Sequence, residues 1–158
     1  MTEKIKLWFK NNAYAVYAVA GILFLDRATK VGALLCLQDR PLELFPFFHL
    51  RYVENTGMAF GMLQNGNTLL IGVMLVIIGY IVYSWKELVA YGSLVKWGSV
   101  FILAGAIGNL YDRITLGFVV DFLDFRVWPV FNVADSFITI GACLFVIAFL
   151  WNKPKETK

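Results

Sequence analysis

Histidine occurs once in the 158 residues, at His49, and that scarcity removes several chemistries together. A zinc site of the HExxH kind needs two imidazoles on one helix face, and a metal cage built mainly from imidazole needs more. Cysteine is nearly as scarce. Cys36 and Cys143 lie in apolar segments with no spacing to a partner, so they read as small packing residues, neither a disulfide nor a metal pair. Neither has a nearby base, and Gly92-Ser93 lacks the GxSxG context of a serine nucleophile. Charge is thin as well: Asp, Glu, Lys and Arg make 16% of the chain and the net charge is +3. With no basic helix and no aromatic RNA motif, a nucleic-acid surface is excluded. Carboxylates are left as the candidate reactive groups.

What the chain has instead is apolar bulk. Hydrophobic residues make 59% of it and mean hydropathy is +0.69, against roughly 45–50% apolar usage in soluble domains. A single integral membrane domain over residues 1–158 is expected. The run from Ala13 to Leu37 opens after Lys4, Lys6 and Lys10 and has no small-residue cleavage site before a polar region, so it reads as a helix and not a signal peptide. Further helices are expected over about 68–85, 94–116, with Gly117 as C-terminal cap, and 132–151. Outer loops fall at about 38–67 and 117–131. In the first, alternation of Phe48, Leu50 and Tyr52 with His49, Arg51 and Glu54 predicts a short strand, and Asn55-Thr56-Gly57 with Gly61 predicts a turn or hairpin. The fold class is therefore an all-α membrane protein, a four-transmembrane-helix bundle with a small extracytoplasmic β-element between helices one and two.

Basic residues orient it. Lys4, Lys6, Lys10, Lys86, Lys96, Lys153, Lys155 and Lys158 fall on one side, and Arg40, Arg51, Arg113 and Arg126 on the other. The positive-inside rule puts both termini in the cytoplasm and the loops outside.

Ionisable groups beside hydrocarbon are costly and need a reason. Asp26 and Lys30 stand at i and i+4 and can pair, with Arg27 pointing elsewhere. The rest concentrate in GAIGNLYDRITLGFVVDFLDFRVWPVFNVAD, residues 105–135. Asn109, Asp112 and Arg113 share a helix face there, behind Ala104, Gly105, Ala106 and Gly108, which let helices approach closely. Asn132 and Asp135 form a pair of the capping-box kind. Asp121 lies 14 residues before Asp135, and if the two helices are antiparallel neighbours both carboxylates can meet at the outer face. Two such carboxylates do not both ionise easily, which is the division an aspartic protease uses. Each acid alone also fits a structural role, as a helix-end charge, a solvated loop charge or an ion-pair partner. Spacing does not decide which two of Asp26, Asp112, Asp121, Asp124 and Asp135 would pair. A proton- or cation-coupled transporter relaying through Asp26, Lys30 and Asp112 is the alternative, though internal repeats are not evident. A scaffolding bundle is a third reading.

Five ordered motifs, LDRATK, NTGMAFG, GNLYDR, GFVVDFLDF and FNVADS, resemble bacterial lipoprotein signal peptidase, signal peptidase II, over nearly the whole chain. The resemblance implies an aspartic endopeptidase of the bacterial cytoplasmic membrane that cuts diacylglyceryl-modified prolipoproteins before the lipidated cysteine. It implies Asp121 and Asp135 as the catalytic pair. Asp26, Lys30, Asn55, Gly57, Gly105, Asn109, Asp112, Arg113 and Asn132 fall on its supporting positions. No metal or organic cofactor is implied; the partners are the prolipoprotein substrate and membrane lipid, and a monomer is expected. Two departures are mild: Arg27 stands where Gln is common, and Ala104 where glycine is often found.

Overall fold

The computed structural model of the chain describes residues 3–57 and 66–151, so Gly61 of the expected turn lies outside the described residues. In chain order the elements are α1 (Glu3–Cys36), β1 (Leu42–Phe45), β2 (Phe48–Asn55), α2 (Asn67–Tyr83), α3 (Trp85–Ala90), α4 (Ser93–Thr115), β3 (Val119–Asp124) and α5 (Val133–Trp151). The fold is mostly helical with one small antiparallel sheet in the order β1-β2-β3.

Each expected helical span overlaps a helix with its ends off by a residue or two, except for three larger differences that have physical reasons. α1 begins ten residues before Ala13, because the Lys-rich opening contains good helix formers and neither glycine nor proline. Where a plain connection was expected after Trp85, the WKELVA stretch forms the extra helix α3 and stops only before Gly92. The second outer loop, expected over 117–131, holds β3, so the sheet draws on both loops and not on the first alone. Five of the six residues of β3 are buried, which erases the exposed-buried alternation that announces a strand.

β1 and β2 form a hairpin whose tight link is Pro46-Phe47, with a bulge between Glu43 and Phe45. The turn expected at Asn55 is present as a side-chain-closed turn: the Gly57 N–H donates to Asn55 Oδ1 at 3.0 Å. α4 closes at Leu116, and Gly117 follows with φ +86, the left-handed conformation that suits glycine after a helix end.

Packing is inverted relative to a water-soluble core. Buried positions are dominated by small residues such as Ala15, Ala33, Ala104, Ala106, Ala134 and Ala148, while Tyr17, Phe24, Tyr83 and Phe149 are exposed. Large apolar side chains facing outward suit lipid, and small ones inside let backbones approach. Among the described helices, α4 and α5 are each long and apolar enough to cross a membrane; α2 is apolar but has 17 residues. α4 and α5 pack most closely. A Cβ added at Gly105 would collide with the Ala134 carbonyl oxygen and stand 2.6 Å from Ile138 Cγ1.

Two apolar clusters hold the ends. Ile81, Leu88, Val95 and Ala148 gather around Trp85 at one end, where Trp85 Nε1 donates to Asn12 Oδ1 at 3.0 Å. Ala33, Val120 and Phe122 join the last turns of α1 to the sheet at the other. Gly105→Ala should lower the thermal unfolding temperature in detergent by an amount corresponding to about 1–3 kcal/mol, the usual cost of overpacking. Gly72→Ala, which meets nothing within 4 Å, serves as the control and should change little.

Candidate active site

Between the sheet and the small-residue seam of α4 and α5 lies a buried polar cluster, and Lys30 is its centre. Its Nζ, 0% exposed, reaches Asp26 Oδ2 at 2.9 Å, Asp112 Oδ2 at 3.0 Å and Asn109 Oδ1 at 2.9 Å. An ammonium has three N–H bonds, and all three are used. The pair expected at i and i+4 on α1 is thus formed, and it extends across to α4.

Asp26 carries the link to α5. Its Oδ1 accepts the Ala134 backbone N–H at 3.0 Å, in the first turn of that helix. The next N–H, from Asp135, donates to Asn132 Oδ1 at 2.9 Å, and the Asn132 N–H returns to Asp135 Oδ2 at 3.3 Å. This is a reciprocal cap with aspartate in the third helical position, and it satisfies N–H groups that a buried helix end would otherwise orphan. A Cβ at Gly108 would stand 2.8 Å from Asp26 Oδ2, so a hydrogen there leaves room for the carboxylate.

Asp121 and Asp135 are brought to one polar network, and neither is in an ion pair among the described residues. Asp121 accepts Asn132 Nδ2 at 2.7 Å on one oxygen and Asn55 Nδ2 at 2.8 Å on the other. Asp135 accepts Asn109 Nδ2 at 2.7 Å. The two frames join, because Asn132 Nδ2 also donates to Asn109 Oδ1 at 3.2 Å. Burial, and next the Asp135 carboxylate, push the Asp121 carboxyl up to about 7, against the pull of the Asn55 and Asn132 amides and of Lys30.

The remaining acids sort by their partners. Asp112 accepts Arg27 Nη1 on Oδ1 at 2.8 Å and the Val120 N–H on Oδ2 at 3.3 Å, so it ties α1 and β3 to α4. Asp124, at the far end of β3, receives Arg51 Nε at 2.6 Å and the Arg126 N–H at 2.8 Å. Burial works to raise its carboxyl, but those hydrogen bonds and both guanidiniums outweigh it and hold it below the ordinary range. Arg113 spans to the first outer segment, with Nη2 on the Gly57 carbonyl at 2.7 Å and Nη1 on Asn67 Oδ1 at 3.2 Å. Gly105 stands one turn below Asn109, against Ala134.

Sequence reasoning missed three of these participants. Arg27, expected to point away, reaches Asp112, a contact 85 residues long in sequence that no helical spacing signals. Ala134 contributes only a backbone N–H. Asn67 carried a faint signal, a polar residue opening an apolar run.

The fold is similar to that of solved structures of bacterial membrane enzymes. One, determined by the in meso method at 2.3 Å, superposes with a TM-score of 0.82 at 30% identity, covering 92% of this chain and 95% of that one. A second, at 1.9 Å, gives 0.77 at 27% identity, covering 89% and 95%. The class is therefore that of a bacterial membrane enzyme. Residues 18–151 match the sequence profile of signal peptidase (SPase) II. The lipoprotein signal peptidase of Caldanaerobacter subterraneus subsp. tengcongensis is 50% identical over 136 residues, which are 82% of this chain and 91% of that protein. That of Halothermothrix orenii is 45% identical over 139 residues, 85% and 92%. The chain belongs to the signal peptidase II family.

Lys30→Met should be among the most damaging substitutions for folding, since it leaves the buried Asp26 carboxylate without its cation and Asp112 with Arg27 alone. A cost of about 3–5 kcal/mol is expected from breaking a buried pair, read as a collapse of the unfolding temperature in detergent. Arg51→Met, at a half-exposed pair with Asp124, should by contrast leave that temperature nearly unchanged.

Proposed function

We propose that the chain is an aspartic endopeptidase that removes the signal peptide of prolipoproteins, with Asp121 and Asp135 as the reacting pair. The observation that carries this is how the acids of the cluster are held. Asp26 and Asp112 are held by cations, whereas Asp121 and Asp135 are held by the neutral amides of Asn55, Asn109 and Asn132. A carboxylate that is paired with a cation has its charge and its lone pairs committed. One held by amides is oriented and still able to exchange a proton.

In this reading the pair shares one proton at neutral pH. The ionised member takes a proton from water as the water oxygen attacks the scissile carbonyl carbon, and the protonated member gives its proton to the carbonyl oxygen. The proton taken from water then passes to the leaving nitrogen as the C–N bond breaks, and one hydroxyl of the tetrahedral intermediate returns its proton to the other carboxylate as the new carboxyl group forms, so the pair again holds one proton. Lys30, Asn109 and Asn132 keep both carboxylates in place; Asp112 and Arg113 brace β3 and the end of β2. Their roles, and those of Asp26, Asn55, Gly57 and Gly105, are positional.

The protein lies in a bacterial membrane as a member of its family. The finer reading is a single domain over residues 1–158 with four spans, given by α1, α2, α4 and α5. Both termini are then cytoplasmic and the site faces outward. The substrate carries diacylglyceryl on the cysteine that follows the cut, an anchor that would hold the scissile bond at the level of the helix ends. A monomer suffices, since one chain supplies every residue of the cluster. The transporter reading is not favoured, because Asp26, Lys30 and Asp112 close on one another in a single cluster and do not form a path through the bundle.

Purified protein incubated with a diacylglyceryl-modified prolipoprotein should release the signal peptide, while Asp121→Asn and Asp135→Asn should fold in detergent and lose at least about a thousandfold in rate. Near-normal cleavage by either variant would sink the assignment of the pair. The pH profile carries a sign. A carboxyl raised to about 7 keeps its proton below that pH and loses it above, so kcat/KM should begin to fall as pH rises through about 7. A rate that climbs steadily to pH 9 would contradict a shared proton.

A further inference from the structure

Arg27 touches neither member of the proposed pair, yet it completes the charge balance around them. Among the described residues the cluster contains four carboxylates, Asp26, Asp112 and Asp121 buried and Asp135 half-buried, and three cations. Lys30 binds two of the acids directly, Arg27 binds one, and Arg113 acts electrostatically on Asp112, Asp121 and Asp135. With one proton on the pair the cluster is neutral; with none it carries one negative charge. Remove Arg27 and the protonated state is already negative, so losing the last proton must build a second charge in a buried site.

Geometry gives Arg27 a way to act at a distance. Its guanidinium bonds Asp112 Oδ1 at 2.8 Å and lies over the Tyr111 ring at 5.2 Å, and its side chain is 37% exposed. Holding Oδ1 leaves Oδ2 of Asp112 to Lys30 and to the Val120 N–H, next to Asp121 on β3. Lys30 in turn fixes Asn109, whose amide holds Asp135. The other titratable groups facing Asp112 are Tyr52 and, beside it, Glu54 on β2, with Arg113 on its own helix. Burial, then Glu54 and Asp112, push the Tyr52 phenol up to about 12, so it stays neutral across the working range. Glu54 is exposed and bonds the Tyr52 hydroxyl at 3.1 Å.

We infer that Arg27 is a positioning residue that sets how many protons the Asp121–Asp135 pair holds, by supplying the third cation of the cluster and by fixing Asp112. The inference rests on the reading of that pair as the reacting centre. The test is the alkaline limb of kcat/KM measured with the full chain and a diacylglyceryl-modified prolipoprotein. Arg27→Gln should move the limb upward by about half a pH unit or more, because the pair then keeps its proton longer. Arg27→Lys, which restores the charge, should bring it most of the way back. Tyr111→Glu, at an exposed position beside the guanidinium, should move it upward as well. A limb unmoved in Arg27→Gln, or moved equally by Arg27→Lys, overturns the inference. If Arg27→Gln shows no unfolding transition, Tyr111→Glu decides, and an unmoved limb there overturns it too. Wild-type chain that leaves the prolipoprotein uncut defeats the peptidase reading itself; cleavage with an unmoved limb defeats only the role given to Arg27.

Discussion

An ammonium with no water in reach is tolerated only when each of its N–H bonds finds an acceptor, and Lys30 meets that condition through Asp26 on its own helix and Asp112 and Asn109 on α4. Much of the rest of the structure follows from it. Asp26, held by Lys30, in turn receives the Ala134 N–H and so fixes where α5 begins. Asp112, held by Lys30 and Arg27, receives the Val120 N–H and fixes where β3 runs. One buried cation thereby sets the mutual placement of α1, α4, α5 and the sheet. Ion pairs of this kind are weak evidence of net stability, because desolvation offsets much of the attraction. Their value lies in specificity: an arrangement that leaves any of these charges unpaired is strongly disfavoured.

Such a cluster has a steric requirement, and the small residues supply it. Asp26 and Ala134 come within hydrogen-bond distance because Gly108 presents no side chain between α1 and α4, and Gly105 presents none against the Ala134 carbonyl. In lipid the helices gain little from hiding apolar surface from one another, so close backbone contact and hydrogen bonds between helices carry more of the association. The same seam therefore serves packing and electrostatics. A side chain at either glycine would part the helices and lengthen the contacts on which the buried charges depend.

The helices were legible because long, mostly apolar runs bounded by polar or turn-forming residues leave little choice, and the pairing of Asp26 with Lys30 was legible because i and i+4 share a helix face. The Asn132–Asp135 cap was likewise readable from local spacing. What stayed hidden depends on contacts between segments far apart in sequence. Nothing in Arg27 announces Asp112, 85 residues on, and β3 gives no alternating pattern because both its faces are covered. Which two of five acids escape cation pairing was equally closed to spacing arguments. It depends on whether the nearest donor is an amide or a cation once the chain has folded, and the resemblance to a family had to make that choice.

The division between cation-held and amide-held acids also explains why the proposed pair sits on a strand and a helix cap, not on the loops beside them. Asp121 lies on β3, bound to β2 through backbone pairing and through Asn55, and steadied from α4 by the Asp112 contact to the preceding residue. Asp135 lies in the first turn of α5, where Asn132 fixes its backbone and Asn109 its side chain. Each carboxylate is therefore carried on a rigid element and oriented by groups that are themselves locked. Asn132 bonds both and is fully buried, so the separation of the two acids cannot drift without breaking a cap. Proton sharing is sensitive to small displacements, and acids on mobile loops would lose that geometry. Asp124 makes the contrast: three residues beyond Asp121 on the same strand, it meets two guanidiniums, and the chemistry available to the first is closed to the second.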